Sequence, residues 1–130
     1  MKKPEFWDLA KKELIKKDKK LGKIIKSYPR DFLFSKSDPF YTLSRSIVGQ
    51  QISVIAAQAV WDRLEKKAGK IRPNIISNMH SNSLKSCGLS RQKINYLKCL
   101  SIAFNNREIN PKEWPILSDK EIKNELTKIK

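Results

Sequence analysis

The sequence predicts an all-α fold made of several short helices. Three observations support this. Each segment with a hydrophobic period has the helical spacing of three to four residues, and residues typical of helix starts and stops flank these segments. No stretch combines strict alternation with the β-branched and aromatic residues that strands favour.

Residues 1–37 predict two helices and a connector. Apolar residues at helical spacing mark a first helix from about Pro4 to Lys17. Asp18 is placed to cap a second helix, which must end before Pro29 because the residue preceding a proline disfavours helical geometry. The connector carries three apolar residues that we expect to pack down as an anchored turn: Phe32, Leu33 and Phe34.

Residues 38–130 predict the larger helical part, continuous in folding with the first 37. Asp38-Pro39 begins a helix that stops near Gly49. The next helix begins after Ser53 and ends at Gly69, with these residues expected inward: Ile55, Ala56, Ala59, Val60, Trp61 and Leu64. Glu65 is expected to face outward on the same helix.

Further along, a short apolar patch follows Pro73, a brief helix closes at Gly88, and Ser90 caps a longer helix to about Asn106. Trp114-Pro115 is predicted to be loop. Ser118-Asp119-Lys120-Glu121 has the pattern of a capping box, in which a serine and a glutamate satisfy each other's free backbone amides.

The composition describes one strongly basic domain. The chain has 130 residues and a formal charge of +15, and 22 of its 28 basic residues are Lys. Such charge favours polyanions through phosphate contact and counterion release. An A/T-rich gene would also raise Lys, Ile and Asn together, so the charge alone leaves both explanations open.

Several classes of protein are excluded. No apolar run approaches the roughly 20 residues that span a bilayer, and the charged N-terminus lacks a signal peptide's apolar core, so we expect a soluble, cytoplasmic protein. Cys87, Cys99 and His80 match no metal or redox spacing, so no metal site is predicted; the cysteines are read as core residues and His80 as a solvated loop residue. Four glycines in all exclude a Gly-rich phosphate loop, and no nucleotide cofactor is implied.

Three strings carry more specific information when taken in order. They are Asp38 to Ser53, ending in Gly-Gln-Gln-Ile-Ser; Cys87 to Lys93, reading Cys-Gly-Leu-Ser-Arg-Gln-Lys; and Leu117 to Ile122, leading on to Lys130. This order and spacing resembles the helix-hairpin-helix DNA glycosylases, specifically the type II 3-methyladenine glycosylases of alkylation repair. The resemblance runs from about Trp7 to the last residue.

The resemblance implies a fold and a partner. Members of this family are orthogonal helical bundles that bind double-stranded DNA, flip an alkylated base out of the duplex and hydrolyse its glycosidic bond without a cofactor. A wedge residue fills the gap in the base stack. Its position matches Gln51, with Gln50 beside it; the alternative is that both glutamines are polar turn residues bracing two helix ends.

The second string has two interpretations. Ser90 reads as an N-cap, with Arg91 and Lys93 as surface residues of the first turn. Because helix N-termini attract anions, the resemblance also makes these three residues candidates for contacts with DNA phosphates.

Two features of the family are missing from the sequence. The hairpin with its Gly-hydrophobic-Gly turn and the catalytic aspartate would follow the last string, so the bundle is expected to be truncated before the hairpin, and no catalytic residue is predicted. The chain is therefore interpreted as the N-terminal part of such a glycosylase, inactive alone and prone to self-association through an uncovered apolar face. The alternatives are a non-catalytic basic helical module that binds nucleic acid, or an inactive relic.

Overall fold

A computed structural model of the chain describes residues 2–129, which fold into helices joined by short connections. The elements are α1 (Trp7–Lys17), α2 (Lys19–Ser27), α3 (Pro39–Gly49), α4 (Val54–Ala68), α5 (Pro73–Asn78), α6 (Ser81–Ser86), α7 (Arg91–Asn105), a 3₁₀ helix (Pro111–Ile116) and α8 (Asp119–Thr127). Within the described range, extended backbone pairs only at an isolated bridge between Lys2 and Ser35. The predicted all-α class is confirmed.

The described residues divide into two compact units, one ending at Ser37 and the other beginning at Asp38. The boundary falls where the sequence changes from the first two helices to the Asp38-Pro39 helix start. The expectation that both parts form one continuous folding unit stays a prediction. We call the first unit the helical hairpin and the second the core unit.

In the helical hairpin, α1 and α2 lie against each other with little burial. A Cβ added at Gly22 would lie 3.3 Å from the carbonyl oxygen of Ile15, so the glycine allows the two backbones to approach. As predicted, Asp18 caps α2, accepting the amide N–H groups of Lys20 and Leu21 at 2.9 and 3.0 Å. Gly22 is the one buried residue of the two helices.

Two expectations for the hairpin are wrong. Helix α1 begins at Trp7 and not near Pro4, because the chain first makes a turn at Glu5 and Phe6, in which the Trp7 N–H donates to the Pro4 carbonyl at 3.1 Å. Of the three connector residues expected to pack down, Phe32 is half-buried, but Leu33 and Phe34 are 66% and 61% exposed. Because the isolated bridge anchors the connector through backbone hydrogen bonds, its side chains are not required to hold it in place.

The core unit is organised around α7. This helix packs against α3, α5 and α6, and α3 in turn packs against α4. Its best-buried side chains come from five of these helices, and each is at most 1% exposed: Val48, Trp61, Leu64, Ile76, Leu84 and Leu97. The predicted caps Asp38, Ser53 and Ser90 all accept backbone N–H groups, and Ser118 and Glu121 form the predicted capping box.

The buried face of α4 is narrower than predicted. Val60, Trp61 and Leu64 are buried, but the other residues expected inward are exposed: Ile55, Ala56 and Ala59. If the buried face of α4 is centred on Trp61, Ile55 and Ala59 lie on the opposite side of the helix. The sequence analysis therefore assigned too many residues of α4 to the buried face.

Glu65, expected to face outward, is half-buried. Its carboxylate accepts a hydrogen bond from the Tyr41 hydroxyl at 2.9 Å, and that hydroxyl accepts one from the Trp61 indole at 3.1 Å. The Arg45 guanidinium lies 5.3 Å from the centre of the Trp61 ring. A polar network therefore joins α3 to α4 beside the core.

Smaller differences concern single residues. His80 is exposed but caps α6, accepting the amide N–H of Asn82 at 3.1 Å, so it is more than a loop residue. Trp114 lies half-buried in the 3₁₀ helix where loop was predicted. Cys87 is buried, Cys99 is half-buried and both are free thiols.

Candidate nucleic-acid interface

The loop Gln50 to Ser53 joins α3 to α4 and projects two amide side chains. Gln50 is the C-cap of α3, and its N–H donates to the carbonyl of Ile47 at 3.3 Å. Gln51 has a φ of +59°, a left-handed conformation that residues other than glycine seldom adopt. Ser53 then caps α4 through the amide N–H of Ala56. The loop is held by caps at both ends, and both glutamines are exposed.

The turn Cys87 to Ser90 is the second element of this surface. Gly88 has a φ of +98°, and a Cβ there would lie 2.9 Å from a guanidinium nitrogen of Arg63. The same guanidinium donates to the Cys87 carbonyl at 2.9 Å, which clamps the turn onto α4. A side chain at position 88 would disturb both the backbone and the clamp.

The loop and the turn border one concavity of about 400 Å³, which we call the glutamine cleft. Its lining includes Gln50, Gln51, Ser90 and Lys93, four of the five residues singled out from the sequence. The Lys93 ammonium donates to the Val48 carbonyl at 2.8 Å. That bond ties the start of α7 to the last turn of α3, where helix carbonyls lack partners and a cation is favourable.

Arg91 is the site residue that the structure places elsewhere. It is exposed and lines a separate concavity with residues of α6 and with Lys98. Because Arg91 and Lys93 are two residues apart on a helix, they point to different sides. Gln92 lies between them and borders both concavities.

Sequence reasoning missed Tyr96. Its hydroxyl accepts a hydrogen bond from the Gln92 side-chain amide at 2.6 Å, and it lines the glutamine cleft. It also borders an apolar groove of about 540 Å³ between α3, α7 and α8, to which Gln50 contributes. The spacing of four between Gln92 and Tyr96 was the available signal, since such pairs meet on a helix surface.

Four aspartates of the chain have structural partners. Asp18 and Asp38 cap helices, Asp62 accepts the Gln58 amide at 2.7 Å, and the Lys3 ammonium at 2.6 Å lowers the pKa of Asp8. The backbone N–H of Ser118 likewise lowers the pKa of Glu121. None of these carboxylates lines the glutamine cleft.

Residues 2–129 contain no group of three metal-ligating side chains placed to hold an ion. In the same range no helix is both long and apolar enough to cross a bilayer.

Comparison with known proteins identifies the class. Residues 44–129 match the family model of the HhH-GPD superfamily of base excision DNA repair proteins, a range that includes the Gln50–Ser53 loop, the Gly88 turn and α7. The chain belongs to this superfamily, and the predicted resemblance is confirmed.

Individual relatives are more specific. The chain is 30% identical over 116 residues to DNA-3-methyladenine glycosylase 1 of Schizosaccharomyces pombe, covering 86% of this chain and 51% of the relative. A solved structure of the Schizosaccharomyces pombe 3-methyladenine DNA glycosylase with abasic DNA matches with a TM-score of 0.81 and 27% identity, covering 93% of this chain and 62% of that one. A DNA-3-methyladenine glycosidase structure from Bacillus halodurans matches with a TM-score of 0.76 and 25% identity over all of this chain and 61% of that one. The chain thus spans about half the length of its curated relative.

Proposed function

We propose that this chain is part of a base excision DNA glycosylase that acts on alkylated purines such as 3-methyladenine. In this proposal the partner is double-stranded DNA and the chain contributes the wedge loop. The observation that carries it is the position of Gln51, exposed and left-handed at the tip of a loop capped on both sides. The names of the relatives support the substrate class, and the abasic DNA bound by one of them supports the partner.

The chemistry of an amide suits a wedge. Removing a nucleotide from the stack leaves a gap and an orphaned base on the opposite strand. A glutamine offers two N–H donors and one carbonyl acceptor on a side chain long enough to enter the gap, so it can bond to either kind of base edge. Because the caps fix the backbone of the loop before DNA binds, the entropy lost on insertion is mainly that of the Gln51 side chain.

Lys93 acts as the brace of this loop. Its bond to Val48 spans 45 residues of sequence and fixes the end of α3 one residue before Gly49. With its ammonium committed to that carbonyl, Lys93 supports the loop, while Ser90 and the free amide N–H groups at the start of α7 remain candidates for a phosphate contact.

We assign no catalytic residue among residues 2–129. The expectation that the 130-residue chain alone does not turn over is tested by incubating it with methylated DNA and measuring free 3-methyladenine. No release is expected. Release at a rate above that of a heat-denatured sample would overturn this assignment and require a carboxylate within the chain.

The wedge role is tested by Gln51→Ala, with binding measured on an intact duplex and on the same duplex with one abasic position. The variant should lose several-fold in affinity on abasic DNA and little on intact DNA, because only the abasic duplex offers a gap to fill. Gln58→Ala is the control, since Gln58 is an exposed glutamine of α4 that bonds to Arg45 and Asp62 and lies outside the cleft. Equal losses of Gln51→Ala on both duplexes would refute the wedge role and favour the non-catalytic basic module.

Two properties stay predictions. Self-association is favoured by apolar side chains that follow the loop, since Val54 and Ile55 are 86% and 83% exposed. Sedimentation of the isolated chain at increasing concentration measures it. The cytoplasmic location predicted from the sequence likewise awaits direct localisation.

A further inference from the structure

The longest stretch of the chain without an acidic residue lies in the core unit. Residues 66–107 contain nine Lys or Arg and no Asp or Glu. The stretch covers α5, α6 and α7. Its cations have no carboxylate within the same stretch of sequence, whereas Lys3 is paired with the nearby Asp8 of α1.

Part of this charge surrounds a concavity of about 810 Å³ between α6 and α7, which we call the cationic groove. Three of its lining residues are basic and three carry side-chain amides, with Ser81 and Ile94 completing it: Lys85, Arg91, Lys98, Asn82, Gln92 and Asn95. The basic side chains and the amide nitrogens of the groove are all hydrogen-bond donors. Such a surface selects anions with several acceptor oxygens.

Arg91 is placed unfavourably unless an anion binds. It is the first residue of α7, where the helix dipole presents positive charge and a cation is destabilising. Lys98 differs, since its ammonium donates to the Met79 carbonyl at 2.6 Å and is half-buried. The exposed cations at the groove are Lys85 and Arg91.

The groove lies next to the glutamine cleft, because Gln92 borders both. Arg91 and Lys98 are seven residues apart on one helix, about 10 Å along its axis. The groove wall on α7 is therefore about as long as the axial rise over three phosphates of one DNA strand. A strand whose gap is filled by Gln51 can therefore continue over Gln92 onto the groove.

We propose that the cationic groove binds the phosphodiester backbone of the DNA strand that passes the wedge loop. The proposal rests on the proposed function, which supplies the DNA, and adds a second contact surface to it. Lys85 and Arg91 supply the charge, the amides of Asn82 and Asn95 hydrogen-bond to phosphate oxygens, and Lys98 holds the groove wall through Met79. These contacts are independent of base sequence.

The test is the double variant Lys85→Gln/Arg91→Gln, with binding to intact and abasic duplexes measured between about 50 and 200 mM salt. Losing two phosphate contacts should lower the slope of log K against log salt by about 2 and the low-salt affinity roughly tenfold, equally on both duplexes. The variant should fold normally, because Arg91→Gln removes an unfavourable charge, and circular dichroism checks this.

The matched control is Arg107→Gln/Lys112→Gln. It removes one arginine and one lysine, both exposed, that follow the other end of α7, a helix about 22 Å long. It should change the slope much less than the groove variant. If both variants lower the slope equally, net charge alone accounts for binding and the groove is not a site.

The outcomes separate this inference from the proposed function. A groove variant that binds like wild type, while Gln51→Ala still loses affinity selectively on abasic DNA, overturns the groove and leaves the wedge role standing. Failure of the wild-type chain to bind either duplex overturns both. A uniform loss in the groove variant with an unchanged preference for abasic DNA supports the groove.

Discussion

The helical hairpin and the core unit use similar sequence patterns with different results. Both consist of amphipathic helices with capping residues, yet α1 and α2 bury only Gly22 while α7 alone buries five residues. Leu9, Leu14 and Ile24 of the hairpin are 63%, 42% and 58% exposed. A helical period identifies the apolar face of a helix, but burial depends on how many neighbours cover that face.

The difference follows from the number of helices available. Two short helices can cover one side of each other, which leaves an apolar groove lined by Trp7, Leu14, Leu21 and Tyr28. In the core unit, α7 has partners on several sides and its apolar residues are closed off. The unit with more elements buries a larger fraction of its surface. We therefore expect most of the free energy of unfolding to come from the core unit.

The largest test of this comparison is a pair of Leu→Ala substitutions. Leu97→Ala removes a fully buried side chain of α7 and should lower the free energy of unfolding by about 2–5 kcal/mol. Leu9→Ala on α1 should change it by less than about 1 kcal/mol, since that side chain is already in water. Chemical denaturation followed by circular dichroism measures both. Similar losses would show that the hairpin contributes as much as the core unit.

A second pair compares caps of the same residue type. Asp38 caps α3 by accepting the Tyr41 N–H at 3.0 Å, and Asp18 caps α2. Asp38→Ala should cost about 1 kcal/mol in the cooperative unfolding of the core unit. Asp18→Ala should lower amide hydrogen-exchange protection in α2 without changing that unfolding. Loss of protection in α7 on Asp18→Ala would contradict the distinction.

A third test concerns the loop within the core unit. Glycine adopts a positive φ without the steric cost that glutamine has there. Gln51→Gly should therefore raise the free energy of unfolding by about 0.5 kcal/mol. Gln51→Ala keeps the same backbone and should leave stability unchanged. Both should lose preference for abasic DNA, so the glycine variant would be more stable and bind worse. A destabilised glycine variant would mean that the Gln51 side chain itself supports the fold.

The smallest effect is on the acid side of the pH profile. Hydrogen bonds lower the pKa of Glu121 in the core unit and of Asp8 in the hairpin, so each carboxylate stabilises its helix while ionised. That contribution is present at neutral pH and is lost as the pH falls below about 4. Glu121→Gln should remove this acid-side change for α8, and Asp8→Asn for α1, as followed by NMR of the two helices. If the loss of stability in either helix occurred above pH 6 instead, these two carboxylates would not be its cause and the prediction would be wrong.

Much of the fold was predictable because its signals are local. The caps Asp18, Asp38, Ser53 and Ser90 act within one turn of the residues they bond, so sequence spacing reveals them. Sequence spacing did not reveal which residues of α4 are buried, or that Phe34 is exposed. Both depend on which neighbouring element covers a face, and a single helix pattern holds no such information.

The residues of the candidate site also divide into those that local sequence revealed and those that it did not. Gln50 and Gln51 were found from a contiguous string, and the structure places them beside Ser90 and Lys93 in one cleft. Tyr96 and the separation of Arg91 from Lys93 were missed. Helical spacing along α7 carried a signal for each, but which concavity a side chain of α7 borders depends on how that helix packs against α3 and α6. The positive φ of Gln51 could not be predicted either, because glutamine seldom adopts that backbone conformation and nothing in its sequence neighbourhood indicates it.

The three tryptophans give the two units separate optical signals. Trp7 is the one tryptophan of the hairpin and is partly exposed, whereas Trp61 is 1% exposed and its indole donates to Tyr41. Trp61 should therefore emit at shorter wavelength and resist quenching by iodide, with Trp114 intermediate. A Trp7→Phe protein would report only on the core unit by fluorescence. Comparing its melting curve with that of the unsubstituted chain would reveal whether the hairpin unfolds with the rest or before it.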